Sequence, residues 1–186
     1  MLKSVKVNVL DNAVKNDRRR VIAHTPEDSG ALLENAQSII IIPGYGLAAA
    51  QAQYLLHDLG KALIDNGARV RYATHPAAGR MSDHMHILLT EAKVPQELLF
   101  VPEAINDDFQ NTDVALIVGA NDVVNYAAKD MNTCLLRDMP VLNTDKARAV
   151  IVCKRSLSSG FSKADNELFY NQKTLMIFGD IKDSIT

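Results

Sequence analysis

The stretch Ser38-Ile39-Ile40-Ile41-Ile42-Pro43-Gly44-Tyr45-Gly46-Leu47-Ala48-Ala49 decides the fold. Its first half is an unbroken apolar run of strand length, ended by Pro43 and Gly44. A strand that is apolar on both faces belongs in the middle of a parallel sheet covered on both sides. The second half has the form G-x-G-x-x-A. It leads into an apolar spacing near 3.6 from Ala48 to Asn66, stopped by Gly67. A glycine turn between a strand and a helix is the setting in which this motif binds a dinucleotide. Gly44 permits the tight turn, Gly46 lets a pyrophosphate approach the backbone, and Ala49 lets the helix pack close to the strand. The helix N-terminus adds N–H groups and a positive dipole end. A plain glycine-rich turn is the alternative reading.

Outward from this stretch the pattern repeats. Arg69–Thr74 reads as the next strand, Leu98–Val101 as a third, and Val114–Val118 as a fourth, cut off by Gly119. Val141-Leu142 and Val150–Val152 read as short strands, and Leu175–Phe178 as the last, ended by Gly179. Met85–Ala92 is helical and closes before Pro95, and Val123–Lys129 reads as a helix. Alternating strands and helices predict an open, mostly parallel, Rossmann-like α/β sheet with helices on both faces of a single domain. The start of the chain differs. Val5, Val7 and Val9 alternate with Lys6 and Asn8, as in a short strand or extended arm. Asp17-Arg18-Arg19-Arg20 is a charge run, either a solvated linker or a docking arm. Thr25-Pro26-Glu27-Asp28 is a helix start, with Thr25 as cap, Pro26 in the first turn and Asp28 three residues after the cap. The expected division is an arm over 1–27, a nucleotide-binding domain over 28–182 and a tail over 183–186.

Composition sets the limits. The chain has 186 residues, 47% apolar and 23% charged, as in an ordinary globular domain. A formal charge of −2 argues against a broad electrostatic grip on nucleic acid, though not against a local basic pocket. No apolar run approaches the ~20 residues of a bilayer span, so no direct membrane insertion is expected. Met1-Leu2-Lys3-Ser4 is followed by no apolar h-region of a secretory signal. Cys134 and Cys153 suit buried thiols in a reducing compartment.

The chemistry gathers at the strand ends. A site specific for NAD carries Asp or Glu at the end of the second strand, holding the ribose 2′-hydroxyl. Here that strand ends Tyr72-Ala73-Thr74-His75, with no carboxylate. Lys154-Arg155-Ser156 follows the strand that ends at Cys153, on the edge where such sheets bind ligands. A planar fork, a point charge and a hydroxyl suit a phosphate monoester, and with the carboxylate missing they favour a ribose 2′-phosphate over a solvated basic turn. Gly119-Ala120-Asn121-Asp122 lies at another strand end, where Asp122 either carries a proton or caps the following helix. His84-Met85-His86 hints at a metal, but no cysteine or carboxylate cluster completes a set, and no metal is expected.

Several segments occur in an order that carries a resemblance. They are Pro43–Ala48, Ala52-Gln53-Tyr54, His75-Pro76-Ala77-Ala78-Gly79-Arg80-Met81, Glu91–Pro95, Ile105–Phe109, Gly119–Asp122, Lys154-Arg155-Ser156 and Phe178-Gly179-Asp180. Over roughly 28–182 the chain resembles the NADP(H)-binding domain, domain III, of proton-translocating nicotinamide nucleotide transhydrogenases. It departs where the family usually reads Met-Pro-Gly-His, here Met81-Ser82-Asp83-His84, and Gly-Tyr-Ala-Gly, here Gly160-Phe161-Ser162-Lys163. Asn125-Tyr126 stands where the family usually reads Asn-Pro.

The resemblance implies a six-stranded parallel sheet that binds NADP(H). It implies hydride exchange with NAD(H) on a separate domain I, coupled to proton movement through a transmembrane domain II. It implies an NAD(P)+ transhydrogenase component inactive without its NAD-binding partner. Its place would be a soluble domain on the cytoplasmic face in bacteria or the matrix face in mitochondria. Lys154, Arg155 and Ser156 would hold the 2′-phosphate. Gly44, Tyr45, Gly46, Ala48 and Ala49 would meet the pyrophosphate. Ala78, Gly79, Arg80, Gly119, Asn121 and Asp122 would line the nicotinamide side, Arg80 and Asp122 nearest the reacting ring. Gly160 and Phe161 would open a lid running to Tyr170, and Gly179 and Asp180 would lie by the adenosine. The 75–84 and 119–125 loops would face the partner. A free-standing NADPH-dependent reductase and a non-catalytic NADP(H) sensor are the rival readings.

Overall fold

The computed structural model describes residues 20–129 and 140–186. The alternation at Val5, Val7 and Val9, the charges of 17–19 and Cys134 lie outside them. One sheet, parallel throughout, organises the fold. Its strands are β1 (Ile22–Ala23), β2 (Ser38–Pro43), β3 (Arg69–Ala73), β4 (Leu99–Phe100), β5 (Val114–Val118), β6 (Ala149–Lys154) and β7 (Thr174–Phe178). Their order is β1-β7-β6-β5-β2-β3-β4. Without β1 this is the order of a doubly wound dinucleotide-binding sheet, with the reversal of winding between β2 and β5. The sheet therefore has seven strands rather than six. The extra one is a two-residue edge pairing in the segment read as an arm, with Ile22 against Leu175 and Ala23 against Met176.

Ile39, Ile40, Ile41 and Ile42 are fully buried, as a central strand requires. Their alternation divides the interior in two. Ile39 and Ile41 face a core with Leu33 of helix α1 (Pro26–Glu34), Leu56 and Leu63 of α3 (Gln53–Asp65), and Ile181 of α6 (Ile181–Ile185). Ile40 and Ile42 face the other, with Met85 of α4 (His84–Glu91) and Ile105 of α5 (Pro102–Ile105). Helix α1 begins as its sequence predicts, with Thr25 and Asp28 in a reciprocal capping box and Pro26 at the first position.

Three expectations are corrected. The helix read over 48–66 is two: α2 (Tyr45–Ala50) and α3, separated by Gln51 in the left-handed region at φ 51°. The helix read over 123–129 is a pair of 3-10 turns, Asp122–Val124 and Tyr126–Lys129. The buried Asn125 intercepts the Ala127 amide with its side-chain oxygen at 3.0 Å, offering the backbone a local alternative to a helix bond. Val141-Leu142 forms no strand, because the Leu142 amide donates to Val123 O and so joins the 122–124 turn.

Candidate functional site

The carboxyl ends of β2, β5 and β6 reach the same edge. A cleft of ≈ 390 Å³ opens there, at the reversal of winding. Its floor is backbone. A methyl group at Gly44 would stand 2.3 Å from Ala120 Cα, one at Gly46 2.8 Å from Gly119 Cα, and one at Gly119 2.7 Å from Gly46 Cα. The Gly46 amide donates to Gly119 O at 2.9 Å, and the Gly44 amide to Val118 O at 2.9 Å. Within the protein, the close approach these glycines permit is therefore between two strand ends. Gly119, at φ +69°, also needs the conformational freedom of glycine.

Lys154, Arg155 and Ser156 line one wall. Lys154 Nζ donates to Ser158 O at 2.8 Å and lies 4.7 Å from the centre of the Phe169 ring. Burial pulls its pKa down to about 8, with the Asp122 carboxylate pulling the other way. Arg155 is exposed, and Ser156 Oγ lies 2.8 Å from Ser158 Oγ. Beneath this wall Cys153 is buried, and its thiol is pushed up to about 12 by burial, which keeps it inert.

Asp122 also lines the cleft. Asn121, not Asp122, is the cap of its 3-10 turn, and it makes no side-chain capping bond. The Asp122 carboxylate instead accepts from Ser162 Oγ at 2.6 Å and from the Ser162 amide at 3.1 Å. Asn166 Nδ2 donates to Asn121 O at 3.2 Å. Further along, Asn125 Nδ2 donates to Asp165 O at 3.1 Å. These bonds tie the 160–166 segment to the end of β5.

A third group stands at the mouth. Tyr45 Oη accepts from Arg80 Nε at 3.0 Å and Nη2 at 2.6 Å, and the guanidinium also lies over the Tyr45 ring. The Phe161 ring packs on the same tyrosine at 5.7 Å between centroids, although Phe161 is 79% exposed. Behind Arg80, His75 is buried, with Nε2 2.7 Å from Pro140 O and Nδ1 accepting from the Ala77 amide. Burial lowers its pKa, so the imidazole stays neutral.

The model of the NAD(P) transhydrogenase beta subunit family matches residues 2–186, nearly the whole chain. The chain belongs to that family. Two Rhodospirillum rubrum proteins named NAD(P) transhydrogenase subunit beta are each 47% identical to it over 164 residues. These matches span 88% of this chain but 35% of theirs, so the chain covers about a third of these relatives. A solved Mycobacterium smegmatis structure, described as a candidate thiamin diphosphate-dependent enzyme, overlaps 93% of this chain and 29% of its own. At 14% identity and a TM-score of 0.48, that likeness carries no argument.

The positions selected by resemblance to the transhydrogenase family divide into two sets. Gly44, Tyr45, Gly46, Ala78, Gly79, Gly119, Asn121, Asp122, Gly160 and Phe161 line the cleft with the Lys154–Ser156 wall. Ala48, Ala49, Arg80, Gly179 and Asp180 do not. Arg80 reaches the mouth through Tyr45, and Asp180 caps α6 by accepting from the Lys182 amide at 2.8 Å. Ala77, Ala120, Val123, Ser158, Ser159 and Ile181 also line the cleft, although the sequence names none of them as a cofactor contact. Most of them are small or apolar and carry no chemical signal of their own. Asp83 and Lys163, at positions where the resemblance implies glycine, both have left-handed backbone, at φ +59° and +57°. Among the described residues no group of acidic, histidine or cysteine side chains is placed to hold a metal, and no helix is long and apolar enough to cross a membrane.

Proposed function

We propose that the chain is the NADP(H)-binding component of a proton-translocating NAD(P) transhydrogenase. The observation that carries this reading is the Lys154-Arg155-Ser156 wall, which overlooks a cleft at the reversal of winding while β3 ends without a carboxylate. At that end Thr74 Oγ1 donates to Phe100 O and His75 is bonded to Pro140. Neither offers a ribose hydroxyl the acceptor that NAD recognition by the usual route requires.

The residues fit the cofactor. The cleft volume lies within the range of small-ligand sites, ~300–1,000 Å³. Arg155 brings a planar fork for the 2′-phosphate, Lys154 a point charge and Ser156 a hydroxyl. The Gly44–Ala49 turn would take the pyrophosphate. Ala78, Gly79, Gly119 and Asn121 would flank the nicotinamide side, with Arg80 and Asp122 setting its electrostatics. Gly160 and Phe161 would cover it, and Gly179-Asp180 would support the adenosine end. When bound, the nicotinamide supplies the hydride chemistry. The protein binds, orients and keeps water out. Hydride would pass to or from NAD(H) on a separate NAD-binding domain I, facing the 75–84 and 119–125 loops. Coupling to proton movement would run through a transmembrane domain II, placing this chain on the cytoplasmic or matrix face. It would have no turnover without the partner.

The test is cofactor choice. Each charged hydrogen bond is worth roughly 1.5–3 kcal/mol. Replacing Lys154 and Arg155 together by Ala should therefore cut the preference for NADP(H) over NAD(H) by about 10²-fold or more. Calorimetric titration of the double variant with both cofactors reads this directly. An unchanged preference would overturn the assignment.

A further inference from the structure

We infer that Ser162 is the fastening that holds the Ser158–Phe161 rim across the cleft, acting through the Asp122 carboxylate, and that this fastening sets how fast a bound nucleotide leaves. The first half stands on the structure of the rim alone. The second half rests on the nucleotide reading of the cleft.

The rim is a tight turn. The Lys163 amide donates to Gly160 O at 3.1 Å, and Lys163 lies in the left-handed region. Within this turn Ser162 is only 8% exposed, whereas its neighbour Phe161 is 79% exposed. Ser162 is held because it engages both oxygens of one carboxylate, its hydroxyl on Oδ1 and its amide on Oδ2. The hydroxyl also accepts from the Ala164 amide at 3.2 Å, which orients its proton towards Asp122. The backbone at Gly160 presses on the same carboxylate, for a methyl group there would stand 2.5 Å from Oδ1. The fastening thus joins residues 40 apart in sequence. It links the rim to the first turn after β5, the strand end that forms the cleft floor.

Hydrogen bonds to an ionised acceptor are the strong ones. Losing the hydroxyl leaves the amide bond but frees the turn to swing. A local opening equilibrium shifted by one such bond changes on the order of tenfold or more. Nucleotide leaving by way of the rim is accelerated by the same factor. Arrival through the same rim is accelerated as well, because capture uses the open population, which rises by the same factor. Ser162 is therefore a positioning residue, and its signature is a change in both departure and arrival with little change in affinity.

The experiment compares Ser162→Ala, Ser162→Val and Ser162→Thr in the full chain. Thr keeps the hydroxyl, and Val is its apolar counterpart of the same shape, so the pair separates loss of the hydroxyl from the effect of the added methyl groups. Two quantities are read: amide hydrogen exchange of peptides within 157–166 in nucleotide-free protein, and NADPH dissociation by chase against excess NADP+. The expected result is exchange, dissociation and association all about tenfold faster in Ala and Val, equilibrium affinity within about twofold, and all three rates restored in Thr. Unchanged exchange in Ala and Val would overturn the fastening. Faster exchange with unchanged dissociation would overturn its control of release. Wild-type protein that binds no NADPH would overturn the nucleotide reading, and the exchange measurement then decides the fastening by itself.

Discussion

At the scale of a single residue, Lys154 shows how a binding group is tuned by where the chain puts it. Burial holds its pKa near 8, and Asp122 limits the drop. A lysine whose pKa is depressed in the free protein is partly neutral at mildly alkaline pH. A phosphate ligand favours the charged form, so it raises that pKa on binding. Binding near pH 8 must therefore take up protons, and affinity must fall as pH rises through about 8, by at most about tenfold per pH unit. Calorimetry of NADP+ binding at pH 7, 8 and 9 in buffers of different ionisation enthalpy measures both effects. Lys154→Arg keeps its charge and should lose the alkaline limb along with the proton uptake. If the arginine variant retains the uptake, another group is responsible. Lys154-Arg155-Ser156 could be read from sequence because the three side chains carry their chemistry in their type and follow a recognisable strand. Ser162 could not, because its role depends on a carboxylate in another part of the chain.

At the scale of elements, the sequence signals worked where glycine or proline marked an end and failed where another residue took that place. Helix α3 stops at Gly67 (φ +95°), and the Ala68 amide closes back onto Leu63 O. The ends of α2 and α4 have the same closure, Ala52 onto Leu47 O and Val94 onto Leu89 O, but with Gln51 and Lys93 in the left-handed position. Because Gln51 gives no stop signal, two helices read as one. Glycine inside a helix carries the opposite lesson. Gly60 lies in the body of α3, where alanine ordinarily gains about 1 kcal/mol. Here a methyl group would stand 1.8 Å from Tyr72 Oη of β3, and the Tyr72 ring is buried. Gly60→Ala should therefore destabilise by about 1–3 kcal/mol, as overpacking does. Adding Tyr72→Phe, which removes the hydroxyl, should recover a large part of that loss. Urea unfolding of the two single variants and the double gives the coupling directly. Additive losses would mean that the helix yields without touching the tyrosine.

For the whole molecule, the question is what the domain does by itself. The central strands and the covering of both sheet faces could be read in the sequence, because apolar runs and glycine stops mark them. The edge pairing of β1 could not, since two residues are too short to leave a pattern. The two halves of the sheet are tied at several levels, among them the His75 contact to Pro140, which joins the end of β3 to the approach to β6. A rigid sheet with an open mouth suits transfer between two carriers, which requires reacting carbons within ~3–3.5 Å of each other. Under the proposed function the purified chain, loaded with NADPH, should show no rapid hydride transfer to NAD+ alone. It should gain that transfer when an NAD-binding transhydrogenase domain is added. Stopped-flow absorbance follows the reaction. Transfer to a small substrate without the partner would point to a free-standing reductase. Absence of transfer with a competent partner would point to a sensor.

The glycine floor has a consequence for how such a site diversifies. The backbone of Gly119 and Ala120 fills the side-chain space of Gly44 and Gly46, and the backbone of Gly46 and Leu47 fills that of Gly119, so any single replacement forces apart the ends of two neighbouring strands. No path of small steps leads to a floor with side chains, because the first step already deforms the sheet. New ligand preferences must then arise in the walls and the rim, where Arg155 and Phe161 are exposed and can be replaced without deforming the sheet. The cleft behaves like a fixed socket with replaceable pins. Redesign of its cofactor choice belongs at residues 154–163, with the floor left as it is.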